Sequence, residues 1–299
     1  MKKQTRKKIL LAVDGSDSSL DAVRYVSKIH PFQKTDVVLF NVLSKIPESY
    51  WDLEKEPGLK YRIREVRAME KQEEKNTREF MGKASKVLWR SGFPKDSVKV
   101  NIHERKKGIA RDIINESELG YSCVVVGRKG MSALKDMVLG SVPAKLIEKL
   151  SFIPLTVVGK NPRPGSALLA LDGSENSMRI VGYVENALGG PDFKVTLIHV
   201  IRSKDTEYLE KVEKSIRGVF DEAKTRLIKS GFESSQITTK IITGAHSRAG
   251  AIIKEAKEGG YGTIIVGRRG LSKVQEFFMG RVSSKVIQLA KGHAVWVVS

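Results

Sequence analysis

Apolar and polar positions along the chain alternate between two periods. Short runs such as Ile9-Leu-Leu-Ala-Val13, Val37-Val-Leu-Phe40 and Val124-Val-Val126 are apolar almost throughout, as expected of strands covered on both faces. Between them lie longer segments with helical spacing, for example Leu209, Val212, Ile216, Val219, Phe220, Ala223 and Leu227. Strand and helix in alternation predict an α/β fold with a parallel sheet. The pattern gives a doubly wound, Rossmann-like unit of five strands.

That unit occurs twice. Ile9-Leu-Leu-Ala-Val-Asp-Gly-Ser16 returns as Ala167-Leu-Leu-Ala-Leu-Asp-Gly-Ser174, and Asp36–Val42 as Lys194–Val200, both 158 positions later. Arg90-Ser-Gly-Phe93 and Lys229-Ser-Gly-Phe232 lie 139 apart, and Val124-Val-Val-Gly-Arg-Lys-Gly130 and Ile264-Ile-Val-Gly-Arg-Arg-Gly270 lie 140 apart. The order of the elements is preserved, so the chain reads as two tandem domains, 1–160 and 166–299, joined at 161–165 in the turn-forming stretch Lys160-Asn-Pro-Arg-Pro-Gly165. The first copy carries extra residues near 46–58. Tyr50 and Trp51 in that insertion call for cover, which packing onto the domain supplies more simply than a lid or a dimer patch.

Composition narrows the class without choosing a function. The 299 residues are 40% hydrophobic, enough for two cores, and lack a long apolar run. The start Met1-Lys-Lys-Gln-Thr-Arg-Lys-Lys8 leads straight into a strand, so the expectation is a soluble, cytoplasmic protein with no membrane segment. The single cysteine, Cys123, sits in a strand-like run and reads as an inert core thiol, and five scattered histidines give no metal-ligand spacing. The net charge of +19 is spread as +12 over residues 1–160 and +7 over the remainder. Such a field attracts polyanions in general. The basic start reads as a solvated tail in preference to a nucleic-acid arm, because no aromatic-interleaved RNA motif or helix-turn-helix pattern accompanies it.

The most informative stretch runs from Gly127 to Val142. A strand ends at Gly127, glycines recur at Gly130 and Gly140, and a helix begins after Gly140-Ser141. Glycines admit close approach by an anion, and the amides that open a helix point at it. Ser141 can cap that helix or donate to a phosphate oxygen. In an open parallel sheet the ligand crevice lies beyond the carboxyl ends of the strands, where Asp14, Val42 and Gly127 converge. Asp14-Gly-Ser-Asp17 taken alone also reads as a turn with a helix cap.

Gly-x2-Gly-x9-Gly-Ser after an apolar strand, in a copy that opens with strand-Asp-Gly-Ser, resembles the ATP-binding universal stress proteins, over nearly the whole chain and twice. The resemblance implies that Asp14 holds a ribose, that the backbone near Val42 reads adenine, and that Gly127, Gly130, Gly140, Ser141 and Val142 wrap phosphates, with Arg128 and Lys129 adding charge. It further implies a pseudo-twofold dimer of the two copies, with Leu155–Val158 and Val295–Val298 pairing across the interface; a homodimer of whole chains stays open. Pro143 departs from the family's hydroxyl residue and removes one amide from the cradle.

The second copy keeps Asp172, Val200, Gly267, Gly270 and Gly280 but has Arg281 for the serine. Arg281 could fork onto a phosphate or fill the place a phosphate would take, and the loop is expected to bind nucleotide weakly or not at all. The ligand implied is ATP, with or without magnesium. No Gly-x4-Gly-Lys-Ser/Thr loop or kinase signature supplies a hydrolytic set, so an ATP-binding sensor or regulator is favoured over a slow ATPase and over an interaction protein that works through its basic surface.

Overall fold

The computed structural model describes residues 6–46, 60–131, 138–189, 193–270 and 279–299. Most of the 46–58 insertion, with Tyr50 and Trp51, and the residues 132–137 and 271–278 inside the two glycine-rich loops lie outside them.

In the first half β1 (Lys8–Ala12), α1 (Asp17–Ser27), β2 (Asp36–Leu43), α2 (Lys60–Arg90), β3 (Val98–Glu104), α3 (Ile109–Ser117), β4 (Cys123–Gly127), α4 (Ser141–Lys149) and β5 (Leu155–Val158) follow one another. The second half repeats the order: β6 (Ser166–Ala170), α5 (Glu175–Ala187), β7 (Lys194–Val200), α6 (Thr206–Lys229), β8 (Ile237–Ile242), α7 (Arg248–Glu258), β9 (Thr263–Gly267), α8 (Arg281–Leu289) and β10 (Ala294–Val298). Each half is parallel, and its strand order reverses between the first and fourth strands, so loops from both sides meet at the carboxyl ends of β1 and β4.

The ten strands form one sheet, in the order β3-β2-β1-β4-β5-β10-β9-β6-β7-β8. Among the described residues the only antiparallel contact within it is β5 against β10, where Thr156 faces Trp296. Those two positions are equivalents under the repeat, so a pseudo-twofold axis passes between them. The pairing across the interface is the one the resemblance implied.

The two faces of the sheet are built differently. On one face α1, α2, α5 and α6 cover a core that runs continuously from half to half. Trp296 lies at its centre, 1% exposed, stacked on Phe32 at 5.9 Å and meeting Tyr183 edge-on at 5.5 Å. The Tyr25 and Thr263 hydroxyls hydrogen-bond across the same interface at 2.7 Å. Burial raises the Tyr25 hydroxyl pKa, and it also pushes the Cys123 thiol up to about 11, which leaves that thiol protonated in the core. The other face carries two separate cores, one under α3 and α4 and one under α7 and α8, with Leu139 and Ile147 packed against both.

Candidate functional site

The site grows from the turn after β1. Ser16 caps α1 by accepting from the Ser19 amide, and the Asp14 carboxylate takes the Ser16 amide at 3.1 Å and its hydroxyl at 2.6 Å. The turn-and-cap reading of this stretch therefore holds. The second carboxylate oxygen leaves the turn and accepts from the Met131 amide in the glycine-rich loop, at 3.0 Å. Gly130 makes that approach feasible: a Cβ on it would sit 2.7 Å from the same oxygen. Lys129 is clamped through its backbone, its amide donating to the Ser18 hydroxyl at 3.1 Å and its carbonyl accepting from the Ser16 hydroxyl at 3.3 Å. Asp14, Gly127, Lys129 and Gly130 are thereby gathered at one crevice.

The loop closes on Gly140, whose amide donates to the Arg128 carbonyl at 2.9 Å. Gly140, in extended conformation, is the N-cap of α4, so Ser141 is the first helical residue and its hydroxyl does not cap the helix. Ser141 is exposed, Val142 is half-buried, and Pro143 is buried without an amide to offer. The first helical hydrogen bond runs from the Ala144 amide to Gly140. The helix start thus turns two amides, of Ser141 and Val142, toward an anion instead of three.

Val42 enters through the ladder of β2. Phe40 gives its carbonyl to the Val13 amide on the β1 side, and Leu43 gives its carbonyl to the Arg105 amide on the β3 side. Alternation along a strand turns the Val42 amide and carbonyl toward β1, just past its last residue. The Asn41 side chain accompanies it and donates to the Val13 carbonyl at 2.9 Å.

Arg128 is placed elsewhere than the sequence suggested. Its guanidinium is 5% exposed and both terminal nitrogens donate to the Ile287 carbonyl near the end of α8, Nη1 at 2.6 Å. Arg268 does the reciprocal thing, donating to the Leu150 and Glu148 carbonyls at the end of α4, each at 2.8 Å. The two arginines hold the halves together by satisfying carbonyls at helix ends. Burial pushes Arg128 down to about 10. A side chain anchored in this way keeps its charge but commits its terminal donors to the other half. Gly-Arg recurs in both copies, but the recurrence by itself does not say whether the cation meets a phosphate or a helix end.

The second half reproduces part of this. Asp172 accepts from the Ser174 amide and hydroxyl at 3.1 and 2.6 Å, as Asp14 does from Ser16, and a Cβ on Gly270 would collide with the Asp172 carboxylate. His199 hydrogen-bonds the Leu171 carbonyl at 2.7 Å, where the first half uses Asn41. Two differences follow. The Val200 carbonyl, equivalent to that of Val42, accepts from Arg248 Nε at 3.2 Å. Gly280 again caps, the exposed Arg281 opens α8, and Ser283, at the position of Pro143, donates its hydroxyl to the Gly267 carbonyl at 2.6 Å.

A carboxylate not singled out from the sequence shapes the crevice's other wall. Asp112 of α3 is 3% exposed and accepts from the amides of Lys106, Lys107 and Gly108 at 2.9, 3.0 and 3.3 Å. Burial works to raise its pKa, but those amide donors and His103 outweigh it and hold the carboxyl below its usual range. Among the described residues there is no group of three or more His, Cys, Asp or Glu placed to hold a metal ion, and no helix long and apolar enough to cross a membrane.

Comparison with known proteins finds the same repeat. The family model described as "Universal stress protein family" matches residues 5–159 and again 166–299. A universal stress protein of Mycolicibacterium smegmatis is 26% identical over 293 residues, covering 94% of each chain. The universal stress protein YxiE of Bacillus subtilis is 30% identical over 169 residues, which is 50% of this chain and 97% of that one. The crystal structure of a universal stress protein from Archaeoglobus fulgidus superposes with a TM-score of 0.63 at 20% identity over 98% of both chains, a likeness of fold. With its repeated loop-and-turn geometry and two matches that together span nearly all of its length, the chain belongs to the universal stress protein family.

Proposed function

We propose that the protein is an adenine-nucleotide-binding regulator, a sensor that takes ATP in the first half and little or none in the second. The observation that carries this reading is the meeting of the Asp14 carboxylate with the Met131 amide, because it brings a ribose-type acceptor to the loop that ends at the α4 amides. In this reading Asp14 exchanges that contact for ribose hydroxyls, the Val42 edge receives the base, and Gly127, Gly130, Gly140, Ser141 and Val142 receive phosphates. Hydrolysis would need a base and a positioned water that none of these residues supplies, so the role is binding.

In the second half Asp172, Gly267, Gly270 and Gly280 repeat the cradle, but Arg248 takes the Val200 edge and Arg281 stands at the phosphate end. The test is to denature the purified protein and chromatograph the released small molecules, with ATP titration of the stripped, refolded chain by calorimetry. Release or rebinding of adenine nucleotide is expected, with loss of affinity in Asp14→Ala; absence of both overturns the reading.

A further inference from the structure

Beside the cradle a cleft of about 780 Å3 opens between the loop after β3 with the first turns of α3 and the length of α4 from Ser141 to Lys149. Six cations line it: Arg105, Lys106 and Lys107 on the loop after β3, Arg111 on α3, and Lys145 and Lys149 on α4. One acid, Glu148, lines it too, and its carboxylate is 2.9 Å from the Lys149 ammonium. Ser141 and Val142, which open α4, form part of the same wall. The cleft is therefore continuous with the phosphate end of the crevice. Its shape does not rest on its lysines, because the Asp112 carboxylate fixes the Lys106–Gly108 backbone through amides alone.

The second half shows that the fold does not require this charge. At the positions equivalent to the six cations it has Gly244, Ala245, His246, Gly250, Lys285 and Leu289, and Arg248 and Arg281 stand where the first half's wall has Ile109 and Ser141, so three cations stand against six. A cluster of like charges in one concave place is unfavourable by itself and concentrates anions of the opposite sign. A solvated surface would show cations and acids interspersed, whereas here they stand six to one.

We propose that this cleft is a polyphosphate subsite, which takes the phosphate chain of the bound nucleotide as an anion neutralised by the protein's own lysines and arginines. The nucleotide part rests on the function proposed above; the polyphosphate chemistry does not. Affinity then rises with the number of phosphates and falls with salt.

The experiment is calorimetry on the full chain with adenosine, AMP, ADP, ATP and inorganic tripolyphosphate at low and high salt, repeated on the K106Q/K107Q double variant and on K145Q/K149Q, with circular dichroism to check folding. ATP is expected to bind at least tenfold tighter than AMP, tripolyphosphate to bind without a base, and each double variant to weaken ATP and tripolyphosphate at least tenfold, about 1.4 kcal/mol, with adenosine unchanged. ATP binding indifferent to both variants, with no binding of tripolyphosphate, overturns the cleft and leaves the nucleotide reading standing. Tripolyphosphate binding without ATP or adenosine supports the cleft and overturns the nucleotide reading. A short oligoribonucleotide that displaces tripolyphosphate at lower concentration than ATP does overturns the small-molecule assignment.

Discussion

The two halves share one scaffold and differ where a ligand would touch it. Both open with the same Asp-Gly-Ser turn, with matching distances around Asp14 and Asp172, and both end a strand in Gly-Arg-x-Gly. In the first half the Val42 edge faces the crevice, the helix after the loop begins with serine, and cations crowd the adjacent wall. In the second half an arginine reaches the Val200 edge, another arginine begins the helix, and the equivalent wall carries three cations against the first half's six. Residues that build the turn and the arginine pair that ties the halves together stayed alike, whereas residues that face the crevice diverged. The difference teaches that the turn motif alone reports the fold, and that its ligand is to be argued from the crevice walls.

The sharpest way to separate the halves is through stability. Asp112→Ala removes a buried acceptor from three amides, and no equivalent carboxylate exists at Ala251 in the second half, where Ser247 caps α7 with its hydroxyl. Urea unfolding should show a loss of about 2 kcal/mol. The sign with pH follows from the lowered pKa: the Asp112 contribution is complete above the usual carboxylate range and disappears as pH falls through the lower folded value. An acid titration of stability should therefore be flatter for the variant than for the native chain below about pH 4.

Gly127→Ala tests the scaffold. A Cβ there would stand 2.6 Å from the Ser18 carbonyl carbon, so backbone must shift, at about 1–3 kcal/mol. At Gly267 the nearest atom is the Arg269 carbonyl oxygen, at 2.9 Å, and the cost should be smaller. Equal losses of thermal stability in the two variants would mean that the strand-to-helix approach is the same in both halves, against the distances.

Smaller effects concern ligand. Ser141→Arg copies the second half's helix start into the first and should lower ATP affinity about tenfold by calorimetry, near 1.4 kcal/mol. Unchanged binding in a folded variant would remove Ser141 from the cradle. Arg248→Ala frees the Val200 carbonyl and should strengthen nucleotide binding at the second half by a few-fold, about 0.5–1 kcal/mol, measured in a Ser141→Arg background.

Much of the fold was legible because periodicity and repetition agree: apolar runs mark the strands, and the cross-interface pairing of β5 with β10 followed from the family resemblance. The site was legible at Asp14 and the glycines, where backbone geometry restricts the residue type. It was not legible at Arg128, since a cation in a glycine-rich loop suits a phosphate as well as a helix end 159 residues away. Whether Ser141 caps the helix or opens it was not legible, because Gly-Ser does not say which residue takes the extended conformation. Asp112 and Arg248 escaped notice because their partners are backbone groups, which leave no pattern in a sequence.

The central claim, that the halves are unequal as nucleotide sites, is most directly measured by the stoichiometry of ATP on the stripped chain, by native mass spectrometry beside calorimetry. The account predicts one nucleotide per chain, lost in Ser141→Arg. Two equivalent nucleotides per chain, with both retained in Ser141→Arg and one lost in Arg281→Ala, would contradict it and make the second half's arginine a ligand.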